Sequence, residues 1–365
     1  MAEIQVENLH KSFGDFIAVK GSTFTVRDGE FFCLLGPSGC GKTTTLRMIA
    51  GLELPTSGRI LLDGLDVSFL RAAQRDIAFV FQLFALYPHM SVRQNIGFPL
   101  KSQGMGRAEI RGRVAEAAQT LRITHLLDRS VSGLSSGDRQ RVALGRAIVR
   151  QPKAFLMDEP LGALDTEFRQ IMTGELRALH DRLGATTIYV THDQLEAMAM
   201  ADKIAVMNHG IIEQLGTPRD IYDKPTSLFV ADFIGSPPMN FLNFRGHLAK
   251  GVEKVHLDGG EIRVPTVHEN HGEDEFILGV RPEQVQLTDA GPLRGVVFGV
   301  EYLGTTQIVT VTTPHGALRA RVSADLNLHV GERIGLAFRP EKLSLFDKAS
   351  GRAISTALTE VPSHG

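Results

Sequence analysis

The chain has 365 residues, 43% hydrophobic and 22% charged, a balance that supports a folded core and excludes a coiled-coil rod, a collagen-like fibre or a chain disordered throughout. Lys and Arg total 39 against 41 Asp and Glu, so the net charge of -2 leaves no broad basic footprint for nucleic acid or acidic lipid. No apolar run reaches the roughly 18–20 residues of a membrane-spanning helix, and the start, Met1-Ala2-Glu3-Ile4-Gln5, lacks a secretory signal, so the expected compartment is the cytosol.

From Glu30 the chain enters an unbroken apolar run to Leu35, the pattern of a strand buried on both faces of a mostly parallel sheet. The turn after it reads Gly36-Pro37-Ser38-Gly39-Cys40-Gly41-Lys42-Thr43, which fits G-x-x-x-x-G-K-[ST] and precedes a helix-forming stretch. Its glycines let successive backbone N–H groups face phosphate oxygens, and the following helix presents its positive end. Lys42 adds a point charge and Thr43 a hydroxyl for Mg²⁺. A glycine turn with a chance lysine would not also carry the strand and the helix. Cys33 and Cys40 have no framework spacing and are expected as reduced thiols.

Further along, residues 107–127 and 139–149 have helical spacing, with charges away from the apolar stripe. The run from Arg139 through Arg141 to Arg146 reads as a solvated helix face. Ala154-Phe155-Leu156-Met157 is a second buried strand and ends in Asp158-Glu159. Two adjacent acids repel unless a cation or a proton-transfer task uses them. Asp158 suits Mg²⁺ coordination and Glu159 suits polarising an attacking water; a solvated strand end is the bland alternative, and the phosphate loop upstream argues against it. A third strand, Thr187-Ile188-Tyr189-Val190, leads into Thr191-His192-Asp193. Ligands of open α/β sheets bind beyond such carboxyl ends.

After residue 235 the pattern changes to short strands with Gly and Pro turns, and Gly235-Ser236-Pro237-Pro238 reads as a short, stiff boundary. Within this part, 279–287 (Gly-Val-Arg-Pro-Glu-Gln-Val-Gln-Leu) recurs at 337–345 (Ala-Phe-Arg-Pro-Glu-Lys-Leu-Ser-Leu), which suggests a duplicated small barrel or paired half-barrels. His268-Glu269-Asn270-His271 with Glu273, Asp274 and Glu275 offers metal-ligand types, but the span reads as a polar loop.

Taken in order, these motifs resemble an ABC-transporter ATPase subunit over most of residues 1–235. Phe79-Val80-Phe81-Gln82 resembles the loop whose glutamine meets Mg²⁺ or water and the transmembrane partner. Leu134-Ser135-Ser136-Gly137-Asp138 resembles the family signature, Leu161-Gly162-Ala163-Leu164-Asp165 the D-loop and Thr191-His192-Asp193 the switch histidine. Phe13 lies where the family stacks an aromatic on adenine. Read without the family, Phe13 is a turn residue or minor core contact and Gln82 a polar residue closing a strand; Phe84-Ala85-Leu86-Tyr87-Pro88 then favours a docking surface. His192 with Glu196 makes a metal half-site that lacks a third ligand.

The resemblance implies ATP and Mg²⁺. Nucleotide contacts would come from Phe13, Gly36, Pro37, Ser38, Gly39, Cys40, Gly41, Lys42, Thr43, Thr44, Ser135, Gly137 and Asp165. Metal contacts would come from Thr43, Gln82 and Asp158, and catalysis from Glu159, His192 and Gln82. The implied fold is α/β, a P-loop NTPase with a mostly parallel sheet and a helical subdomain over residues 1–235, then an all-β OB-like, TOBE-type domain over residues 236–365. The signature departs from L-S-G-G-Q at Ser136 and Asp138. Ser135 and Gly137 remain to meet the γ-phosphate of a second subunit, at the positive end of a helix expected to begin near Arg139. Asp138 either caps that helix or turns its carboxylate toward the triphosphate.

The β-rich extension, with Gly279-Val280-Arg281-Pro282-Glu283 and the upstream residues 233–240, resembles the maltose and glycerol-phosphate type importer ATPases. The implied function is to energise uptake of a sugar, polyol or glycerol derivative. The implied partners are two transmembrane permease subunits, a periplasmic or extracellular solute-binding protein, and a second ATPase subunit, identical or paralogous, in a head-to-tail nucleotide sandwich. The chain would sit peripherally on the cytoplasmic face of the inner membrane, with no nucleic-acid partner. A soluble non-transport ABC ATPase would instead predict two cassettes or a basic surface. A nucleotide-gated regulatory module is the third reading. The solute itself is not encoded here.

Overall fold

Alternating buried positions at the N-terminus build a hairpin of β1 (Ile4–Phe13) and β2 (Phe16–Val26), paired antiparallel with bulges that spread its twist. In the computed structural model, residues 2–359 are described apart from 83, 163, 258 and 259. The chain continues through β3 (Phe31–Leu35), α1 (Lys42–Ala50), β4 (Ser57–Leu62), β5 (Leu65–Asp66) and β6 (Ile77–Val80). Then follow α2 (Val92–Ser102), α3 (Arg107–Thr120), α4 (Ser136–Ile148), β7 (Ala154–Asp158), α5 (Thr166–Leu183), β8 (Thr186–Thr191), α6 (Gln194–Met200), β9 (Lys203–Asn208) and β10 (Ile211–Gly216).

The main sheet has the order β10-β9-β3-β8-β7-β6, parallel except for β10 at one edge. All five residues of β3 are buried, as are all of β7 and β8, which explains why their sequences show no alternation of polar and apolar residues. A second, antiparallel sheet, β2-β1-β4-β5, shares the same core; Phe24 of β2 stacks on Phe32 of β3 with ring centroids 5.0 Å apart. Helices α2, α3 and α4 form the helical subdomain. Gly97 lets α2 approach Ile110 and Val114 of α3, and Gly145 of α4 admits Ile96 of α2.

Register fixes the site. Leu35 lies opposite Thr191 and Asp158 opposite Val190, so the parallel strands β3, β7 and β8 end together, and the loops after all three open on one edge.

The chain divides into two compact units after Pro218. The second holds α7 (Pro218–Asp223) and α8 (Leu228–Phe233), then β11 (Asn240–Leu248), β12 (Lys254–Leu257), β13 (Gly260–Arg263), β14 (His271–Val280) and β15 (Val285–Thr288). It continues with β16 (Leu293–Tyr302), β17 (Thr306–Thr313), β18 (Gly316–Ser323), β19 (Arg333–Phe338) and β20 (Ser344–Asp347). The repeated Arg-Pro-Glu turn marks a duplicated unit: long strand, two-stranded hairpin, strand, single 3₁₀ turn, short strand. The short strands are exchanged. β15 pairs with β19 of the second copy and β20 pairs with β14 of the first, giving sheets β11-β14-β20 and β15-β19-β16-β17-β18 around one core.

The two short helices join this unit because the buried Arg281 guanidinium donates to the carbonyl oxygens of Tyr222 and Ala231 at 2.9 and 3.0 Å and to that of Ile234, and stacks on the Tyr222 ring. Compactness thus divides the chain before α7 and α8, upstream of the Pro237-Pro238 pair.

Three local expectations are corrected. The helix expected over 107–127 stops at Thr120, where Arg122 turns to φ 58° and a 3₁₀ turn, Thr124–Leu126, carries the later apolar residues. The signature helix starts at Ser136, earlier than Arg139, because Ser135 caps it. His271 onward is strand, not loop, with Glu273, Asp274 and Glu275 as consecutive exposed residues of β14. No group of three or more His, Cys, Asp or Glu is placed to hold a metal among the described residues.

Candidate active site

The bend from Gly36 to Gly41 is tight at its two ends, where a side chain would not fit. A Cβ on Gly36 would lie 2.2 Å from the Met207 carbonyl oxygen, and one on Gly41, at φ 104°, would lie 2.4 Å from that of Ala18. Lys42 opens α1 and is buried, its ammonium donating to the carbonyl oxygens of Gly36 and Pro37 at 2.7 and 2.9 Å. The ammonium thus lies across the bend with only neutral partners, ready to exchange carbonyl oxygens for charged ones. Cys40 packs beneath, with its thiol pushed up by burial, and both cysteines are free. Ser38 and Gly39 face solvent at the tip, and Thr44 is half-buried behind Thr43.

The Thr43 hydroxyl donates to Asp158 Oδ1 at 2.8 Å. Burial raises the Asp158 carboxyl above its ordinary range, partly offset by that hydrogen bond and reinforced by the Glu159 charge. Glu159 sits in the left-handed region at φ 43°, with its N–H tied to the Val190 carbonyl at 3.0 Å. That strained bend aims its carboxylate into the site, where Oε2 lies 3.3 Å from Gln82 Nε2 and 3.2 Å from His192 Nδ1. Gln82, Glu159 and His192 therefore meet around one oxygen, while the His192 side chain stays half exposed.

The signature and D-loop are drawn together by α4 and α5. Asp165 caps α5, accepting from the Phe168 N–H at 2.9 Å, and Phe168 fills the space that a Cβ on Gly137 would need, 2.1 Å from its Cε1. Ala163 lies outside the described residues. Ser135 accepts from the Asp138 N–H at 3.2 Å, and its hydroxyl donates to Asp138 Oδ2 at 2.8 Å. Arg141 stands 3.8 Å from the same carboxylate. Asp138 thus turns back onto its own helix N-terminus, the capping alternative. Phe13 is 48% exposed at the β1–β2 tip, with Lys11 Nζ 4.7 Å over its ring.

Two arginines escaped the sequence reading. Arg146, expected on a solvated face, donates to the carbonyl oxygens of Phe84 and Ala85 at 2.9 and 2.7 Å and lies over Tyr87. Those two residues sit at φ 63° and 49°, so Arg146 holds a strained loop just after Gln82, and Phe84 is buried rather than presented outward. Arg75, 1% exposed, donates to the carbonyl oxygens of Met48, Ile49, Ser68 and Leu70 and so caps the far end of α1. Burial lowers its pKa to about 10. Neither had a signal, since an isolated arginine does not reveal which carbonyls it will meet.

Residues 19–162 match the ABC transporter family, 235–285 the MalK OB fold domain and 278–346 the TOBE domain. The chain is 47% identical over 376 residues to the trehalose/maltose import ATP-binding protein MalK of Thermococcus litoralis, covering 97% of this chain and 100% of that protein. It is 46% identical over 388 residues to the trehalose import ATP-binding protein SugC of Mycobacterium tuberculosis, covering 96% and 98%. It is 44% identical over 376 residues to the sn-glycerol-3-phosphate import ATP-binding protein UgpC of Rhodopseudomonas palustris, covering 97% and 100%. Among solved structures, cbiO1 of Clostridium perfringens, part of the ABC transporter complex cbiONQ, superposes with a TM-score of 0.56 at 32% identity, covering 60% of this chain and 89% of that one. With residues 36–43, Asp158, Glu159 and His192 on one sheet edge, the chain belongs to the ABC transporter family as an ATP-binding, ATP-hydrolysing subunit with a MalK-type OB and TOBE extension.

Proposed function

We propose that this chain energises uptake of a sugar, polyol or glycerol derivative through two partner permease subunits and a solute-binding protein, from the cytoplasmic face of the membrane. The observation that carries the catalytic part is the meeting of Gln82, Glu159 and His192 beside the Thr43–Asp158 pair, on the edge where the phosphate loop opens. No helix among the described residues is long and apolar enough to cross a membrane. The relatives named for trehalose, maltose and glycerol-3-phosphate import support the substrate class.

In this reading the amide-lined bend at residues 36–41 and Lys42 receive the triphosphate, with Thr44 beside them and Phe13 against the base. Thr43 Oγ1 and Asp158 Oδ1, two hard oxygen donors already 2.8 Å apart, fit Mg²⁺, with Gln82 as a further donor. Bound with ATP, the ion supplies charge neutralisation at the phosphates. Glu159 orients and polarises the attacking water. His192 donates toward charge developing on the γ-phosphate and holds Glu159 in place. Ser135, Gly137 and Asp165 complete the site of an opposing ATPase subunit, and separation after hydrolysis moves the permeases.

The test is to purify the chain with the membrane proteins that accompany it, reconstitute the assembly, and measure ATP hydrolysis with candidate solutes. Stimulation by a sugar, polyol or glycerol derivative presented by a binding protein is expected. Full hydrolysis with no membrane partner and no solute response would overturn the transport reading.

A further inference from the structure

Between the D-loop and the switch histidine lies a side chain that neither motif includes. Arg169 sits in the first turn of α5. Its Nη1 is 3.1 Å from Asp193 Oδ2, and its Nη2 donates to the Leu164 carbonyl oxygen at 3.2 Å. Its Nε faces Glu196 Oε1 at 3.6 Å without a hydrogen bond. One guanidinium therefore spans the loop before Asp165 and the loop around His192.

The far side of that span is rigid. Glu196 is 4% exposed, and its Oε2 accepts from the hydroxyls of Tyr189 and Thr191 at 2.8 and 2.7 Å. Asp193 Oδ1 accepts from the N–H groups of Leu195 and Glu196, capping α6, and the Asp193 N–H donates to Thr191 Oγ1 at 3.0 Å. His192 is thus flanked by Thr191 and Asp193, which bond to each other and to the first turn of α6, and its position follows theirs. The near side is a turn, with the Gly162 N–H on the Glu159 carbonyl at 3.2 Å and the Leu164 N–H on the Leu161 carbonyl at 3.0 Å.

We propose that Arg169 is the positioning residue of the switch histidine, a planar fork that ties the D-loop backbone to Asp193, so that a shift of the D-loop moves the His192 imidazole relative to Glu159. A lysine supplies one ammonium on a flexible stem and serves one of the two anchors, whereas the guanidinium fixes the angle between them. Without the fork, the Asp193 and Glu196 carboxylates face each other with no cation between, and the α6 cap carrying His192 loses its tether. The inference rests on the reading of Glu159 and His192 as catalytic.

Steady-state hydrolysis and nucleotide affinity of the full chain test it, using Arg169→Ala, Arg169→Lys, His192→Ala and the Arg169→Ala/His192→Ala double variant. Arg169→Ala is expected to lower kcat by about 10–100-fold, the scale of a small misplacement of a catalytic group, with nucleotide Kd unchanged. Arg169→Lys, which keeps the charge and guards against unfolding, is expected to recover only part of kcat. The double variant is expected to be no slower than His192→Ala alone, because the arginine acts through the histidine. A double variant slower than His192→Ala by the factor that Arg169→Ala imposes on the native chain overturns the proposal, as does a Kd that weakens in step with kcat. Native turnover in His192→Ala alone would instead remove the catalytic reading beneath it, which separates the two failures.

Discussion

The Thr43 hydroxyl and Asp158 Oδ1, 2.8 Å apart, join the first turn of α1 to the last residue of β7 across 115 positions of sequence. A helix start and a strand end that share a hydrogen bond make one rigid corner, which both the phosphate loop and the acidic pair use. The corner is costly when empty of cation, because Asp158 is buried and Glu159 adds a like charge.

Asp158→Asn should therefore stabilise the nucleotide-free chain while abolishing hydrolysis. The folded-state carboxyl is raised above its ordinary value. Between those two values the folded chain holds a proton that the unfolded chain has lost, so stability falls as pH rises through the window and the full penalty stands above it. Asparagine keeps an acceptor for Thr43 and carries no such penalty. Thermal melts should place the variant above the native chain at neutral pH, by roughly 2–4 °C per kcal/mol regained, with the gap closing below the ordinary carboxylate range. A gap that widens in acid would contradict the assignment.

Glu159→Gln keeps the shape at φ 43° and the contacts with Gln82 and His192 but loses the base. Turnover should drop by about 10²–10⁴-fold while ATP still binds with native affinity. Unchanged steady-state hydrolysis would remove Glu159 from the mechanism.

Gly137→Ala places a methyl 2.1 Å from Phe168 Cε1, so the Phe168 ring or the α4–α5 packing must shift. Such overpacking costs about 1–3 kcal/mol, read as a lower melting temperature. Phe168→Leu in the same chain should restore part of it; a double variant no more stable than Gly137→Ala would place the strain elsewhere.

Asp138→Gln replaces the charged acceptor that occupies the Ser135 hydroxyl with a neutral one. Turnover should rise several-fold, because the hydroxyl and the helix N-terminus become available to a phosphate, at a cost below about 1 kcal/mol from the lost first-turn acid. Steady-state ATPase assays decide it, and equal or slower turnover would show that Asp138 does not limit the site.

The common edge that carries residues 36–43, Asp158, Glu159 and His192 was legible because each follows a buried strand end, where backbone geometry follows from local sequence. Partners chosen by tertiary packing were not. Arg146 looked like any helix-surface arginine until Phe84 and Ala85 turned their carbonyls to it. Over 107–127 the apolar spacing persists through the 3₁₀ turn, and only the φ of Arg122 ends the helix. The antiparallel sheet of β1, β2, β4 and β5 was not separated from the α/β part, since bulges break the alternation of β1. The Arg-Pro-Glu echo was visible as a repeat, yet which strand each copy would pair with was not.

That crossed pairing makes the β unit a clasp. With β15 bound to the second copy and β20 to the first, neither copy closes its own sheet, and a protease nick in the loop between β15 and β16 would leave two fragments still hooked together. Losing the final strand, by contrast, uncovers one edge of β14 in the opposite copy, so damage near the chain's end is felt at a strand that begins some seventy residues earlier.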